Sequence, residues 1–149
     1  VSDKIKEQFD IVKDLLLFSW FRYRFETIAL FQAFATLEFA LRYKIDGDGR
    51  KKGPNFTQLL EKAVEKKWLM DEGFKYYKEK ENAKSKLAMI GRSLGFNVYI
   101  SNDPQKHVKN LPKALPMLRN SMAHGKPFAI SQNYFMINVV VDAINQLFK

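Results

Sequence analysis

Arg119, Asn120 and His124 stand close together in the stretch Arg119-Asn120-Ser121-Met122-Ala123-His124-Gly125. A guanidinium that stays charged, a carboxamide and an imidazole are groups that could bind and cleave a phosphodiester: the first neutralises the phosphate, the imidazole moves a proton, and the amide orients either one. At about 100° per residue, Asn120 and His124 project from one side of a helix, and Arg119 lies roughly a quarter turn away on a long stem. Leu111, Leu115, Leu118 and Met122 recur at helical spacing and mark the side that packs on a core, which leaves Asn120 and His124 nearly opposite, toward solvent or another subunit. Gly125, with Pro127 just after, stops the helix, so His124 belongs to its last turn, where free carbonyls and the macrodipole favour an imidazolium. The plainer alternative is that the three residues form only a solvated polar face, since short motifs recur by chance.

The stretch resembles the Arg-x(4–6)-His signature of the HEPN domains, small all-helical proteins that are often ribonucleases in toxin–antitoxin and antiviral systems. Leu37-Glu38-Phe39-Ala40-Leu41-Arg42 is similar to the Leu-Glu-x-Ala-Leu-like stretch of that family's long early helix, and the chain length and the late position of the Arg-His helix agree with it. The resemblance implies a single all-α domain over residues 1–149, an up-and-down bundle of about five or six helices. It also implies a metal-independent endoribonuclease without a cofactor, a homodimer in which the motifs of both subunits line one cleft, and a role as a toxin or antiviral-defence component with RNA as substrate and an antitoxin protein as partner. On that basis Arg119 would hold the scissile phosphate, His124 would serve proton transfer or charge stabilisation, and Asn120 would orient His124 or the phosphate. Some members carry a Tyr two residues after the His, which a partner enzyme modifies; this chain has Lys126 there, so that regulation does not carry over. Catalytically silent members also exist, and a non-catalytic helical module for RNA or nucleotide binding, or for protein dimerisation, is the alternative expectation.

Composition narrows the classes further. Hydrophobic residues make up 46% of the 149, with 13 Phe, which is enough for one core and excludes a disordered chain. The absence of cysteine removes disulfides, thiolate metal sites and a cysteine nucleophile, and suits a reducing, cytoplasmic setting. The polar opening Val1-Ser2-Asp3-Lys4-Ile5-Lys6 does not read as a secretory leader, and the longest uncharged apolar run, Thr27 to Leu37, is too short to span a bilayer, so no membrane partner is expected. The formal charge is +9, and residues 42–113 carry seventeen basic against nine acidic side chains. Such a field attracts polyanions, although lysines also serve simply to keep an aromatic-rich protein soluble.

The elements that must position the motif follow from periodicity. Ile5, Phe9, Val12 and Leu16 predict an amphipathic helix from Ser2 or Asp3 to about Phe18. Trp20 to Tyr43 holds eight aromatics and no Gly or Pro, predicting a long helix that is apolar over most of its circumference and carries a Glu38–Arg42 ion pair. Such a helix needs cover on several sides, from a homodimer interface or as the centre of the bundle. Asp46 to Pro54 is a turn-rich break whose Asp-Gly-Asp-Gly lacks the further ligands and closing Glu of a calcium loop, so no metal is expected there. Its Arg50, Lys51 and Lys52, with Lys126, are candidate RNA-backbone contacts, or else solvated loop residues. Asn55 or Thr57 caps a third helix ending near Trp68 or Leu69, and Phe74 to Leu94 reads as a lysine-rich helix with half-buried tyrosines. Gly91 to Pro104 reads as a connection, Pro116 as the start or kink of the motif helix, and His107 as an exposed surface residue. A last helix, capped by Ser131, wins over a strand despite its β-branched run because Asn138, Asp142 and Asn145 keep helical spacing. A helix-turn-helix DNA binder has only the positive charge behind it, with no short unit carrying a polar recognition helix.

Overall fold

Side chains returning every three or four residues in the first segment set its buried face, and the helix they predict runs over Asp3–Ser19 (α1), with Ile5 and Val12 fully buried. The computed structural model describes residues 1–47, 53–80, 82, 103, 105–124 and 133–149. The second helix, α2 (Arg24–Asp46), starts four residues later than Trp20. Residues 20–23 form a tight turn held by short-range bonds, Phe21 N–H to the Phe18 carbonyl (3.0 Å) and Phe25 N–H to the Arg22 carbonyl (2.9 Å). With neither Gly nor Pro in that turn, no residue type announces it. At the far end Gly47 supplies the left-handed conformation (φ 72°) that closes α2, donating to the Tyr43 carbonyl.

Ala29, Leu30, Ala33, Phe34, Leu37, Ala40 and Leu41 of α2 are fully buried, and α1, α3, α5 and α6 all pack on this helix. The cover that an apolar helix requires is therefore supplied largely within the chain, with α2 at the centre of an all-α bundle; the described residues contain no strand. Each of the large side chains in that set contributes about 1.5–3 kcal/mol by leaving water. None of the described helices is long and apolar enough to cross a membrane.

α3 (Phe56–Glu65) opens on a complete capping box: Asn55 Oδ1 accepts from Gln58 N–H, and Gln58 Oε1 accepts from Asn55 N–H, both at 3.0 Å. It stops before Trp68 because Lys67 turns left-handed (φ 55°), sending the N–H groups of Trp68 and Leu69 back to the Ala63 carbonyl. Of the lysine-rich helix, residues 75–80 are described (α4). α5 (Leu111–Ala123) carries the motif, and α6 (Asn133–Leu147) closes the bundle against α2. The β-branched run of α6 is helical, as its polar spacing predicts, and buries Ile137, Val140, Ala143 and Ile144. Ser131, its expected cap, lies outside the described residues, as does most of Gly91 to Pro104.

Pro116 neither begins α5 nor breaks it. The helix starts at Leu111 with Pro112 in its first turn, where a missing N–H costs nothing. Pro116 removes one further bond, to the carbonyl of Pro112, and both prolines are buried.

What fixes the bundle between α3 and α5 is a set of long-range bonds around residues 70–75. Gln146 Oε1 accepts from Met70 N–H (2.9 Å) and Asp142 Oδ2 from Lys75 N–H (3.0 Å), so α6 caps the start of α4. Asp71, 8% exposed, accepts from the N–H groups of His107 (3.0 Å) and Val108 (2.6 Å), at the turn Val108–Asn110 that leads into α5. Gly73 leaves room beside this set for the Gln146 carboxamide, which a Cβ there would overlap and displace. Gly73→Ala is expected to displace that amide, cost about 1–2 kcal/mol for the lost bond to Met70 and lower the melting temperature. In a Gln146→Ala background the same substitution should cost almost nothing; an equal cost in both backgrounds, read by urea unfolding, would show that Gln146 is not the obstacle.

Candidate functional site

Along α5 the spacing of leucines does what it predicts: Leu111 and Leu115 are buried, Leu118 and Met122 pack half-buried on the core, and Asn120 and His124 face outward, exposed. Arg119 sits between the two sides, 33% exposed. Its guanidinium is engaged on three sides. Nη2 donates to Glu38 Oε2 at 2.5 Å, Nη1 to Asn120 Oδ1 at 3.3 Å, and Cζ lies 6.0 Å from the centre of the Phe56 ring.

Glu38 is the residue that sequence reasoning did not connect to the motif. Its other carboxylate oxygen accepts from Arg42 at 2.7 Å, the i,i+4 pair expected on α2, so one carboxylate, 17% exposed, is shared by two guanidinium groups from different helices. The arrangement places two guanidinium groups on one carboxylate at the α2–α5 contact, with Asn120 at its edge. The signal that was available was Glu38 itself, a carboxylate between Leu37 and Leu41 on an apolar helix; its partner 81 positions away was not readable from spacing.

His124 lies one turn beyond Asn120 and is the C-cap of α5, one residue past the helix proper. Its backbone N–H donates to the Asn120 carbonyl at 3.1 Å, and no hydrogen bond joins its imidazole to Arg119 or Asn120. The structure thus brings Arg119 and Asn120 into contact and places His124 exposed at the helix end beside them. The Asn120 side chain holds the arginine, and only its backbone carbonyl meets the histidine. The other candidate contacts, Arg50, Lys51, Lys52 and Lys126, lie outside the described residues. Among the described residues no three His, Asp or Glu side chains gather as metal ligands.

His107 departs from its expected exposure. It is half-buried, with its ring stacked on Tyr77 at 4.3 Å and 5° between planes, above the Asp71 bonds that start the approach to α5. Burial, then the nearby Asp71 charge and Tyr76, push the Tyr77 hydroxyl pKa above its ordinary value.

Comparison with known proteins finds no matching family model, no matching curated protein and no matching solved structure. The site is therefore read from its own geometry.

The raised Tyr77 pKa carries a pH signature. The neutral hydroxyl is favoured by folding, so its contribution is fully present below the unfolded value of about 10 and is lost as pH rises through the higher folded value. Wild-type stability to urea should therefore fall more steeply than that of Tyr77→Phe once pH passes about 10. Parallel curves for the two proteins would show that Tyr77 ionises no differently in the folded and unfolded chain.

Proposed function

We propose that this chain is a metal-independent endoribonuclease of the HEPN type, cutting RNA in the cytoplasm at a homodimer cleft, as a toxin or antiviral-defence component, with an antitoxin protein as its regulator. The observation that supports this reading is the Arg119–Asn120 pair beside an exposed His124 at the end of α5. Arg119 would bind the scissile phosphate with the donors left over from Glu38, and Asn120 would hold its guanidinium plane.

The reaction needs little else. The ribose 2′-hydroxyl loses its proton to water and attacks the adjacent phosphorus, the bond to the 5′-oxygen breaks, and His124, as imidazolium, gives its proton to that leaving oxygen. The products are a cyclic phosphate and a 5′-hydroxyl. Positioning and charge stabilisation by the guanidinium account for most of the rate in such a scheme. The dependence on a 2′-hydroxyl makes RNA, and not DNA, the substrate.

A second reading has one observation behind it. Arg119 is already paired with Glu38, which suits a non-catalytic module in which the arginine ties α5 to α2 and the basic surface only binds RNA or nucleotides. Labelled RNA incubated in excess chelator with wild type, Arg119→Ala and His124→Ala, each checked for folding, separates the two. The nuclease reading expects cleavage by wild type and a loss of about 100-fold or more in each variant. RNA bound without cleavage supports the module, and cleavage surviving in both variants assigns the activity to a contaminant.

A further inference from the structure

Between α1 and α2 the chain turns at a point that the bundle leaves bare. Trp20 is 86% and Phe21 81% exposed, and Leu17, Phe18 and Tyr23 are each more than half exposed. Single exposed apolar residues are ordinary, whereas five large ones gathered at the end of a helical hairpin mark a contact surface. The tip is held in shape without a partner. Ser19 is buried and its hydroxyl donates to the Leu16 carbonyl at 2.6 Å, and the rings of Phe18 and Phe25 lie 6.4 Å apart across the turn. Its charge has one sign: Arg22 and Arg24 are exposed and have no ion-pair partner among the described residues, and no acid occurs from Leu15 to Phe25.

We infer that the α1–α2 turn is a membrane-contact tip, which seats its aromatic side chains in the headgroup layer of an anionic bilayer while the rest of the bundle stays in water. The side chains suit that layer. Trp20 and Tyr23 offer an apolar ring with one polar group, Leu17, Phe18 and Phe21 reach toward the first acyl carbons, and the two arginines meet the acidic headgroups. Span length, on which the expectation of no membrane partner rests, does not bear on contact with one leaflet.

Shape and charge favour a bilayer over other occupants. A single-stranded nucleic acid follows a cationic groove with charges along its backbone, whereas here two arginines stand on the end of a hairpin beside three side chains that form no hydrogen bond. A second copy seated tip to tip would set Arg22 and Arg24 against like charges. Glu38 lies roughly 21 Å further along α2 than Arg24 at the helical rise. The tip and the Arg119 site are therefore separate surfaces, and a lipid contact at one holds whatever the other does.

The test uses the full chain with vesicles of phosphatidylcholine alone or mixed equally with phosphatidylserine. The chain has two Trp, so Trp68→Phe leaves Trp20 as the one indole. Its emission is expected to shift to the blue when anionic vesicles are added, and the protein to sediment with them; added salt should weaken both effects. Trp20→Ala combined with Phe21→Ala should reduce binding about 100-fold or more with an unchanged thermal midpoint, as both positions are exposed. Arg22→Gln and Arg24→Gln should each cost about fivefold on anionic vesicles and little on neutral ones. Protein that stays in solution with both kinds of vesicle overturns the proposal. So does vesicle binding that leaves Trp20 emission unchanged or survives loss of Trp20 and Phe21, since another surface would then hold the lipid. A shift produced by raising the protein concentration, or by an RNA oligonucleotide, and not by vesicles overturns it in favour of a second copy or a base-stacking surface.

Discussion

A single carboxylate joins the two helices that matter most. Glu38 leaves the central helix between Leu37 and Phe39, and its two oxygens are divided between Arg42 on the same helix and Arg119 on α5. Removing it would leave two guanidinium groups facing each other in a half-buried place, so the carboxylate is what lets α5 lie against α2 at that point. The far end of α5 is set by another acid, Asp71, which accepts the N–H groups of His107 and Val108. Two carboxylates from distant parts of the chain therefore fix the start and the end of the motif helix, and the leucine stripe between them fixes its rotation.

This anchoring has a chemical consequence. A free arginine on a solvated helix samples many rotamers, and binding a phosphate would have to restrict it each time. Here the restriction is already made by Glu38, Asn120 and the Phe56 ring, at the expense of part of the guanidinium's charge and donors. Arg119 is preorganised and partly neutralised at once, which is why the same geometry serves both a catalytic anchor and a structural tie. His124 is different in kind, since its ring is exposed and held only through its backbone at the helix end.

The all-α class, the core faces of α1, α5 and α6, and the outward direction of Asn120 and His124 were legible in the sequence because each depends only on periodicity along one helix. So was the Glu38–Arg42 pair, four residues apart. The boundary between α1 and α2 was not, because Trp20 to Tyr23 turn without a breaker residue. The course of α5 through Pro116 escaped for a related reason: tertiary packing holds a proline that local rules would place at a helix start. Contacts across tens of residues were beyond reach altogether. The sharing of Glu38 with Arg119, the capping of the α5 approach by Asp71 and the stacking of His107 on Tyr77 depend on how helices are assembled, and no spacing along the chain encodes that.

If Glu38 couples α2 to α5 through Arg119, the two side chains must act on stability together. The direct measurement is a double-mutant cycle by urea unfolding with Glu38→Gln, Arg119→Gln and the double variant, in which the Arg42 contribution cancels. The account predicts a coupling of about 1 kcal/mol or more. Additivity to within about 0.3–0.5 kcal/mol would contradict it, and would mean that α5 reaches its place without this ion pair.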